Sequence, residues 1–562
     1  MTTIDFNNFE IATPTYEAVA QESRQLESDF DSASTVAQRT AVVGRWDELR
    51  RRLETWNALV NLRFNQDTRN EEYKKAREYS DEIAPKLTDL EVRMKRKLLQ
   101  SAHRSELEKA LGSQAFALWE ADVLTFDPVI EADLVRESKL QAEYIELQAA
   151  AKLEFRGESF NLSGITKFRE DADRATRHDA DLVRCQWLAA NQTRLDQIYH
   201  ELVLLRDAMA KKLGFANFVE LGYKRMKRVD YNQRDVERFR AEVRRHVVPL
   251  GVELRKRQAA DLKIDKAMFW DEAVQNLEGN PKPQGDHDWM IQRGIEMFDA
   301  MGPELGSFFR LMDSAHLMDL KNREGKAGGG FCTSFPTFEV PYIFANFNGT
   351  KGDVEVFTHE IGHAFQNYMS RQQPLLDYLW PTYESCEIHS MGLEFLTWPH
   401  MELFFGNEAD RFRRTHLIQG LLFIPYGVAV DHFQHLVYER PETTPAERHA
   451  MWQEMERTYL PWRDYGDLPH VAQGAFWQFQ RHIYLHPFYY IDYTLAQTCA
   501  LQLWARAEKD RAATLADYVA LCSRGGAAPF QALAKSANLI SPFQENCLAD
   551  AVGQAKRYLA AI

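Results

Sequence analysis

Two histidines and a glutamate follow the pattern His359-Glu360-x-x-His363, which can bind and use a metal ion if the segment is a helix. At about 100° per residue, the three side chains fall within about 100° of one another on one side of such a helix. Two imidazoles one turn apart can hold one Zn²⁺, and the adjacent carboxylate can take a proton from a water molecule that the metal activates. The pattern is therefore typical of a zinc hydrolase.

The apolar residues of the same segment fall on the other side of the predicted helix. They are Val354, Phe357, Ile361, Ala364, Phe365 and Tyr368. With His359 set at zero, they lie between about 140° and 240° and form a stripe that we expect to face the core. A chance match, in a chain with 17 histidines, would not usually keep both histidines off that stripe. The helical phase thus favours a metal site over an accidental pattern.

A catalytic zinc has three protein ligands and keeps one position for water, so a third ligand is needed. The segment 381–398 is predicted to form a second helix, and it carries three acidic candidates, Glu384, Glu387 and Glu394. A separate helix at this distance from His363 can return antiparallel and present a carboxylate to the metal. Spacing alone leaves the three candidates open, and most glutamates on helices are merely solvated.

Four other stretches accompany the metal pattern: Leu213–Tyr223, Gly328–Thr333, His482–Tyr493, and Ser523–Gly526 followed by Pro529-Phe530. Together they resemble the thimet oligopeptidase and oligoendopeptidase F family of zinc peptidases, and the oligoendopeptidase F branch in particular. The similarity runs from about residue 200 to the C-terminus and is looser before it. It implies that His359, His363 and Glu387 bind one Zn²⁺ per chain and that Glu360 is the general base. Glu384 then becomes a candidate hydrogen-bond partner of a ligating histidine.

The aromatic run near the C-terminus offers donors for an oxyanion. Tyr490 and Tyr493 are three residues apart, hence neighbours on one helix face, and a phenol remains a donor at neutral pH. The resemblance makes Tyr493 the first choice for that donor and places His482 near a family histidine that faces the substrate. Which of Tyr489, Tyr490 and His486 assists Tyr493 stays open. Without the family, such a pattern would more often be a packing cluster.

The segment before the metal helix is rich in aromatic and β-branched residues, and its prolines and Asn348-Gly349 indicate short strands and turns. We expect one small β-sheet near 328–350, next to the metal helix. Because proline cannot complete a fully paired central strand, an edge strand is favoured. Such an edge can bind an extended peptide as an added strand, although a hairpin that only positions the helix fits equally well. Gly328–Gly330 could let the backbone approach a substrate.

From about residue 15 to 325 the sequence is almost continuously helical in pattern. Helices or helix pairs are predicted over Asp31–Val60, Asn70–Ala110, Ala132–Leu153 and Asp171–Leu213. The predicted fold class is mainly α, with an N-terminal helical domain over 1–195 and a catalytic domain over 196–562. The resemblance implies a large helical body with a deep substrate channel, zinc on its floor, which would admit only short or unfolded peptides.

Composition restricts the partners. The formal net charge of −14 argues against general binding to nucleic acid or to anionic membranes. The sequence has no apolar run of membrane-spanning length and no signal-peptide pattern at its start, so we expect a cytoplasmic protein. Its six cysteines are scattered without a C-x-x-C pair, as expected for reduced thiols.

The sequence therefore predicts a zinc-dependent endopeptidase that hydrolyses internal bonds of short oligopeptides. One alternative is a catalytically inactive peptide-binding protein on the same scaffold, which would have no reason to keep Glu360 beside intact ligands. Another is a helical interaction scaffold whose metal pattern is accidental. Monomer and homodimer remain open, as does the side-chain preference.

Overall fold

The computed structural model describes residues 4–561, and most of them are helical. The helices are α1 (Tyr16–Ser32), α2 (Val36–Gln66), α3 (Glu71–Leu99), α4 (Arg104–Leu111), α5 (Ser113–Leu124), α6 (Glu131–Ala149), α7 (Arg174–Lys212), α8 (Phe218–Arg225), α9 (Gln233–Glu242), α10 (Val248–Asp261), α11 (His287–Met301), α12 (Pro303–Ser314), α13 (Lys351–Met369), α14 (Tyr383–Leu396), α15 (Glu402–Phe405), α16 (Ala409–Glu439), α17 (Pro445–Tyr459), α18 (Arg481–Leu485), α19 (Tyr490–Ala507), α20 (Arg511–Arg524), α21 (Phe530–Ser536) and α22 (Ala549–Ala561). The strands are β1 (Leu153–Phe155), β2 (Glu158–Phe160), β3 (Met318–Lys321), β4 (Phe331–Phe335) and β5 (Val340–Phe347). The predicted fold class, mainly α, is confirmed.

The chain folds into two compact units, each made of three separate segments. The first unit comprises Met1–Val123, Lys282–Ala409 and Cys499–Ile540, and the second comprises Leu124–Pro281, Asp410–Thr498 and Ser541–Ile562. The predicted domain boundary between residues 195 and 196 falls inside α7, an uninterrupted helix of 39 residues. The two-domain division stays a prediction, and each compact unit combines segments that are distant in the sequence. Helical periodicity locates helices, but it does not reveal which distant segments pack together.

In the first unit, the N-terminal helices pack around a core that includes Trp46, Leu49 and Trp119. The helix predicted to begin at Asp31 begins instead at Val36, because Thr35 and Gln38 form a capping box there. The reciprocal bonds satisfy amides that the first turn would otherwise leave unpaired, which sets the start of α2.

The sheet predicted beside the metal helix is present in the first unit, with strand order β3-β5-β4. β3 pairs with β5 in parallel and β4 pairs with β5 antiparallel. The expectation that prolines confine this region to edge strands is wrong for β5, which contains Pro341 and is central. β3 pairs with β5 only from Ile343 onward, so Pro341 lies where β5 has a strand neighbour on one side alone. The edge strands are β3 and β4.

The second unit contains a sheet that was not predicted, the antiparallel hairpin β1-β2. Its turn is Arg156-Gly157, both at positive φ, which suits the twist of a tight hairpin. Leu153 had been assigned to the end of a predicted helix, but α6 ends at Ala149. Within the described residues, no helix has the length and apolar character that crossing a membrane requires. The six cysteines form no disulfide within the described residues.

Candidate active site

The start of helix α13 is fixed to the end of the central strand β5. Gly349 turns the chain with φ of +83°, and the carboxylate of Asp353 accepts hydrogen bonds from the amides of Asn348 and Gly349 at 3.0 and 2.6 Å. A carboxylate in the first turn also suits the positive end of the helix dipole. The Asn348-Gly349 turn predicted from the sequence thus sets the direction in which α13 begins.

The predicted phase of α13 is confirmed by burial. Five residues of the apolar stripe are fully buried, namely Val354, Phe357, Ile361, Ala364 and Phe365. His359 and His363 are partly exposed, and their rings lie 4.9 Å apart in an edge-to-face arrangement. The helix therefore places both imidazoles together and away from its core-facing side.

The neighbouring helix α14 approaches α13 closely at Gly362. A Cβ added to Gly362 would lie 2.6 Å from the Cα of Ser390 and 2.6 Å from the carbonyl oxygen of His389. Only glycine permits this separation, because real Cβ atoms do not make such contacts with backbone. The glycine between Glu360 and His363 thus lets the second helix present its acidic side chains to the histidines.

Glu387 is the acidic residue that reaches both histidines. Its Oε2 lies 3.4 Å from Nε2 of His359 and 3.5 Å from Nε2 of His363. The ligand atoms of the three residues all lie within 4.8 Å of one another. The hydroxyl of Ser390 donates to the same Oε2 at 3.0 Å and holds the carboxylate in place.

Glu394 orients His359. The two form a short contact of 2.7 Å between Nδ1 of His359 and Oε1 of Glu394, so Nδ1 carries a proton and Nε2 is the nitrogen that faces Glu387. The family resemblance had made Glu384 a candidate partner of a ligating histidine. Glu384 accepts a hydrogen bond from the hydroxyl of Thr382 at 3.0 Å, and the carboxylate found on His359 is that of Glu394. Glu394 is the twelfth residue of α14, and the direction of its side chain depends on how the two helices cross.

The protonation states of Glu387 and His359 depend on each other and on their neighbours. Burial would raise the pKa of Glu387, but the imidazoles of His363 and His359 hold that pKa well below its usual range. Burial would lower the pKa of His359, but its contacts with Glu387 and Glu394 raise that pKa well above the usual value. The carboxylate of Glu387 therefore stays ionised and favours a proton on His359, which a metal cation must displace in order to bind.

Glu360 is buried, and its Oε2 has no hydrogen-bond partner among the described residues. Burial raises the pKa of Glu360, although the imidazoles of His359 and His363 act in the opposite direction. The backbone just before edge strand β4 passes beside it, since a Cβ on Gly330 would lie 3.6 Å from Oε1 of Glu360. An unpartnered buried carboxylate at this place is suited to receive a proton from a reactant.

The three converging residues fit a zinc ion. With bonds of about 2.0–2.1 Å, tetrahedral zinc separates its ligand atoms by about 3.3–3.4 Å. The Nε2–Oε2 distances of 3.4 and 3.5 Å match that separation and are longer than those of good hydrogen bonds, about 2.7–3.2 Å. Two imidazole nitrogens and one carboxylate oxygen are also a donor set that zinc accepts.

Two protein-family models match this chain, and one of them covers the candidate site. The model described as "Peptidase M3 N-terminal domain" matches residues 6–126, and the model described as "Peptidase family M3" matches residues 167–551, which include every residue of the site. The chain belongs to peptidase family M3. Its membership makes it a peptidase and explains why the pattern at His359 is accompanied by matching stretches far along the chain.

The similarity of this M3 peptidase to solved structures extends over the whole chain. One described as a "putative Oligoendopeptidase F" is 47% identical with a TM-score of 0.94, covering 100% of this chain and 99% of its own. "PZ PEPTIDASE A with inhibitor 2" is 44% identical with a TM-score of 0.95, covering 99% of each chain. A "putative oligoendopeptidase F from Bacillus anthracis str. Ames" is 42% identical with a TM-score of 0.90, covering 100% of this chain and 98% of its own. No curated protein matches the chain.

The aromatic residues predicted from this M3 sequence form a cluster within the second unit. The ring of His482 lies 5.2 Å from that of Tyr490, 5.9 Å from that of Tyr493 and 5.7 Å from that of Tyr489. Tyr489 and Tyr493 are 4.8 Å apart. The ring of His486 lies 6.3 Å from His482. The structure thus brings together the side chains that the sequence left as alternatives.

Arg228 anchors the start of α19, the helix that carries two of these tyrosines. It is fully buried and donates to the carbonyl of Phe488 at 2.5 Å and to the carboxylate of Asp492 at 2.9 Å. Phe488 adopts φ of +67°, a conformation that a bulky residue takes only when its surroundings impose it. No local sequence signal at Arg228 indicates this contact, because its partners lie more than 250 residues later.

Proposed function

We propose that this M3 peptidase is a zinc-dependent endopeptidase that hydrolyses internal bonds of short, unfolded oligopeptides. His359, His363 and Glu387 would hold one Zn²⁺ per chain. The observation that carries this proposal is the convergence of both Nε2 atoms on Oε2 of Glu387, at the separation of zinc ligands. The contact between His359 and Glu394 supports it, because ligating histidines commonly give their other N–H to a carboxylate.

Glu360 acts as the general base and then as the general acid. A bound zinc ion supplies Lewis-acid chemistry, lowering the pKa of a water molecule and polarising the scissile carbonyl. The carboxylate of Glu360 accepts the proton of the attacking water and delivers it to the leaving amine. Burial supports this role, since a raised pKa brings the carboxylate closer to the working pH than an exposed glutamate would be.

Tyr493 donates a hydrogen bond to the oxyanion of the tetrahedral intermediate, with His482 or Tyr490 assisting. Burial raises the pKa of Tyr490, so its phenol keeps its proton and remains a donor across the physiological range. The ring contacts among His482, Tyr490 and Tyr493 support a shared role for the three side chains. The assignment of Tyr493 itself comes from the family resemblance.

Edge strand β4 is the element that we propose pairs with the peptide backbone. Its partner β5 occupies one side, and Gly330, at its start, lies beside Glu360. A substrate added as a further strand would satisfy backbone groups on both chains and would place its reacting carbonyl near the general base. This pairing requires an extended, unfolded segment, which agrees with oligopeptide substrates.

The experiment that tests the function uses a quenched peptide library of graded lengths. We expect internal cleavage of short peptides, its loss on treatment with a chelator and its return on adding zinc. Cleavage that persists without metal would contradict the zinc mechanism. Peptide binding without cleavage in the zinc-loaded protein would favour the inactive peptide-binding alternative.

A further inference from the structure

A cavity of about 450 Å³ lies in the second unit, where α8, the turn after it and the start of α9 meet. Among the described residues that line it, Lys224, Arg228 and Arg234 are cationic and Glu220 is acidic. The whole chain carries a formal net charge of −14, so this cationic wall departs from the charge of the protein. The volume falls in the range of small-molecule sites, about 300–1,000 Å³, and the charge favours an anion.

Arg228 is the buried cation of this wall. Its side chain has no exposed surface, and its Cζ lies 4.3 Å from the ring centre of Tyr223 and 5.6 Å from that of Tyr231. Nη2 donates to the carbonyl of Phe488 and to the carboxylate of Asp492, whereas Nε and Nη1 have no hydrogen-bond partner among the described residues. Three of its five N–H groups are therefore unused. Because buried donors are normally paired, these groups suit an acceptor that enters the cavity.

The other two cations of the wall are also without an anionic partner. Lys224 is partly exposed and Arg234 is exposed, and in the described part of the chain neither forms an ion pair. Arg225 and Arg238, cations of the same two helices that do not line the cavity, both form ion pairs. The cations left unpaired in these helices are thus the ones that face the cavity.

Glu220 does not neutralise this wall. It precedes Lys224 by four residues in α8, which is the spacing of a helical ion pair. Its carboxylate instead accepts a long hydrogen bond, of 3.4 Å, from the amide of Ala216, just before the helix begins. The acidic residue is thus engaged at the end of the helix, and Lys224 stays available to a ligand.

We propose that this cavity binds a small molecule through a phosphate or carboxylate group, which accepts hydrogen bonds from Arg228 and pairs with Lys224 and Arg234. A guanidinium presents its N–H groups in a geometry that matches the oxygens of both anions, and hydrogen bonds between ionised groups are the strong ones. The proposal does not rest on the peptidase function, because no residue of the candidate zinc site takes part in it.

Calorimetric titration of the zinc-loaded protein with inorganic phosphate and with acetate, at constant ionic strength, tests the site. We expect saturable binding whose affinity falls about tenfold in Lys224→Gln and about tenfold in Arg234→Gln, the worth of one hydrogen bond between charged groups. An anion bound at the zinc ion is distinguished because these substitutions leave it unchanged. Tighter binding of phosphate assigns a phosphorylated ligand, and tighter binding of acetate assigns a carboxylate ligand.

The matched control is Arg238→Gln, which removes a cation one turn beyond Arg234 in α9 but outside the cavity. It should leave the affinity for phosphate and acetate near that of wild type. An equal loss in Arg238→Gln would show a general effect of charge and would overturn the proposal. Unchanged affinity in both Lys224→Gln and Arg234→Gln, or no binding of either anion to wild type, would overturn it as well. Thermal unfolding verifies that each variant is folded.

Anomalous diffraction from crystals soaked in selenate locates the anion without any substitution. Selenate is a tetrahedral oxyanion that stands for phosphate, and it should displace phosphate in the calorimeter. We expect an anomalous peak at hydrogen-bond distance from Nη1 or Nε of Arg228. Selenate found only at the zinc ion or on the outer surface of the protein would contradict the site.

Discussion

Gly362 and Ser390 lie so close that the space between them admits no side chain. A Cβ on Gly362 would be 2.6 Å from the Cα of Ser390, and the hydroxyl of Ser390 in turn holds Oε2 of Glu387. The helix crossing that this glycine permits therefore determines whether the carboxylate of Glu387, the third candidate ligand, reaches the two histidines. The distance between α13 and α14 therefore matters for the candidate metal site as well as for the core.

Gly362→Ala should weaken zinc binding by about tenfold or more, because α14 must move away from α13 and carry Glu387 with it. A ligand displacement that costs about 1.4 kcal/mol produces a factor of ten. Competition with a chromophoric chelator measures the affinity, and the melting temperature reports the strain.

The matched control for this change is Gly352→Ala, in the first turn of the same helix. The contact recorded for a Cβ at Gly352 is with the hydroxyl of Thr350 at 3.3 Å, the end of a short side chain. Alanine there should leave zinc affinity unchanged and stabilise the helix by up to about 1 kcal/mol. Equal effects of the two substitutions would contradict the account of the helix crossing.

Glu394→Gln should lower zinc affinity by about 10- to 100-fold, because it removes the charged acceptor that orients His359. Glu384→Gln is the matched control, and it should have a smaller effect because Glu394 holds the Nδ1 side of His359. Affinities from the same chelator competition compare the two. A larger loss of zinc affinity in the Glu384→Gln variant would mean that Glu384, and not Glu394, orients the ligating histidine.

Zinc affinity should fall as pH falls, beginning above the ordinary histidine pKa of about 6.5. Without metal, the carboxylates of Glu387 and Glu394 raise the pKa of His359 against the opposing effect of burial. The proton is therefore held at a higher pH than usual, and zinc must displace it to bind. Calorimetric titrations from pH 5.5 to 8.5 test this, and Glu394→Gln should shift the decline to lower pH. An affinity that is constant over that range would contradict the ligand assignment.

Tyr493→Phe should lower kcat by about 100-fold with little change in KM, since an oxyanion donor acts in the transition state. Tyr490→Phe, a neighbour with the same loss of a hydroxyl, should have a smaller effect. Steady-state kinetics on one quenched peptide compares the two. A rise in KM alone for Tyr493→Phe would mean that the phenol binds the ground state.

The sequence predicted the features that depend on local periodicity. The phase of α13 and the position of its two histidines follow from spacing that one helix imposes. For the third ligand, spacing left three glutamates open, and Glu387 was preferred only through the family resemblance. The structure brings Glu387 to both histidines because Gly362 fixes how two helices cross, which periodicity does not encode.

Other features could not be predicted from the sequence, because they also depend on how distant segments pack. Glu394 contacts His359 in a geometry that depends on the orientation of two separate helices. The central position of β5 was obscured by Pro341, although its nearly continuous apolar run is typical of a strand buried on both faces. The interleaving of three segments in each compact unit is a property of long-range packing.

The most direct test of the zinc mechanism is a titration of metal-free protein with zinc, monitored by peptide cleavage and by bound metal. We expect wild type to bind one zinc per chain and to gain activity in proportion. Glu360→Gln should bind the same zinc but cleave about 10²- to 10⁴-fold more slowly, the usual contribution of a general base, and Glu387→Ala should bind zinc weakly. Full cleavage by metal-free Glu360→Gln protein, or no stoichiometric zinc in wild type, would contradict the account.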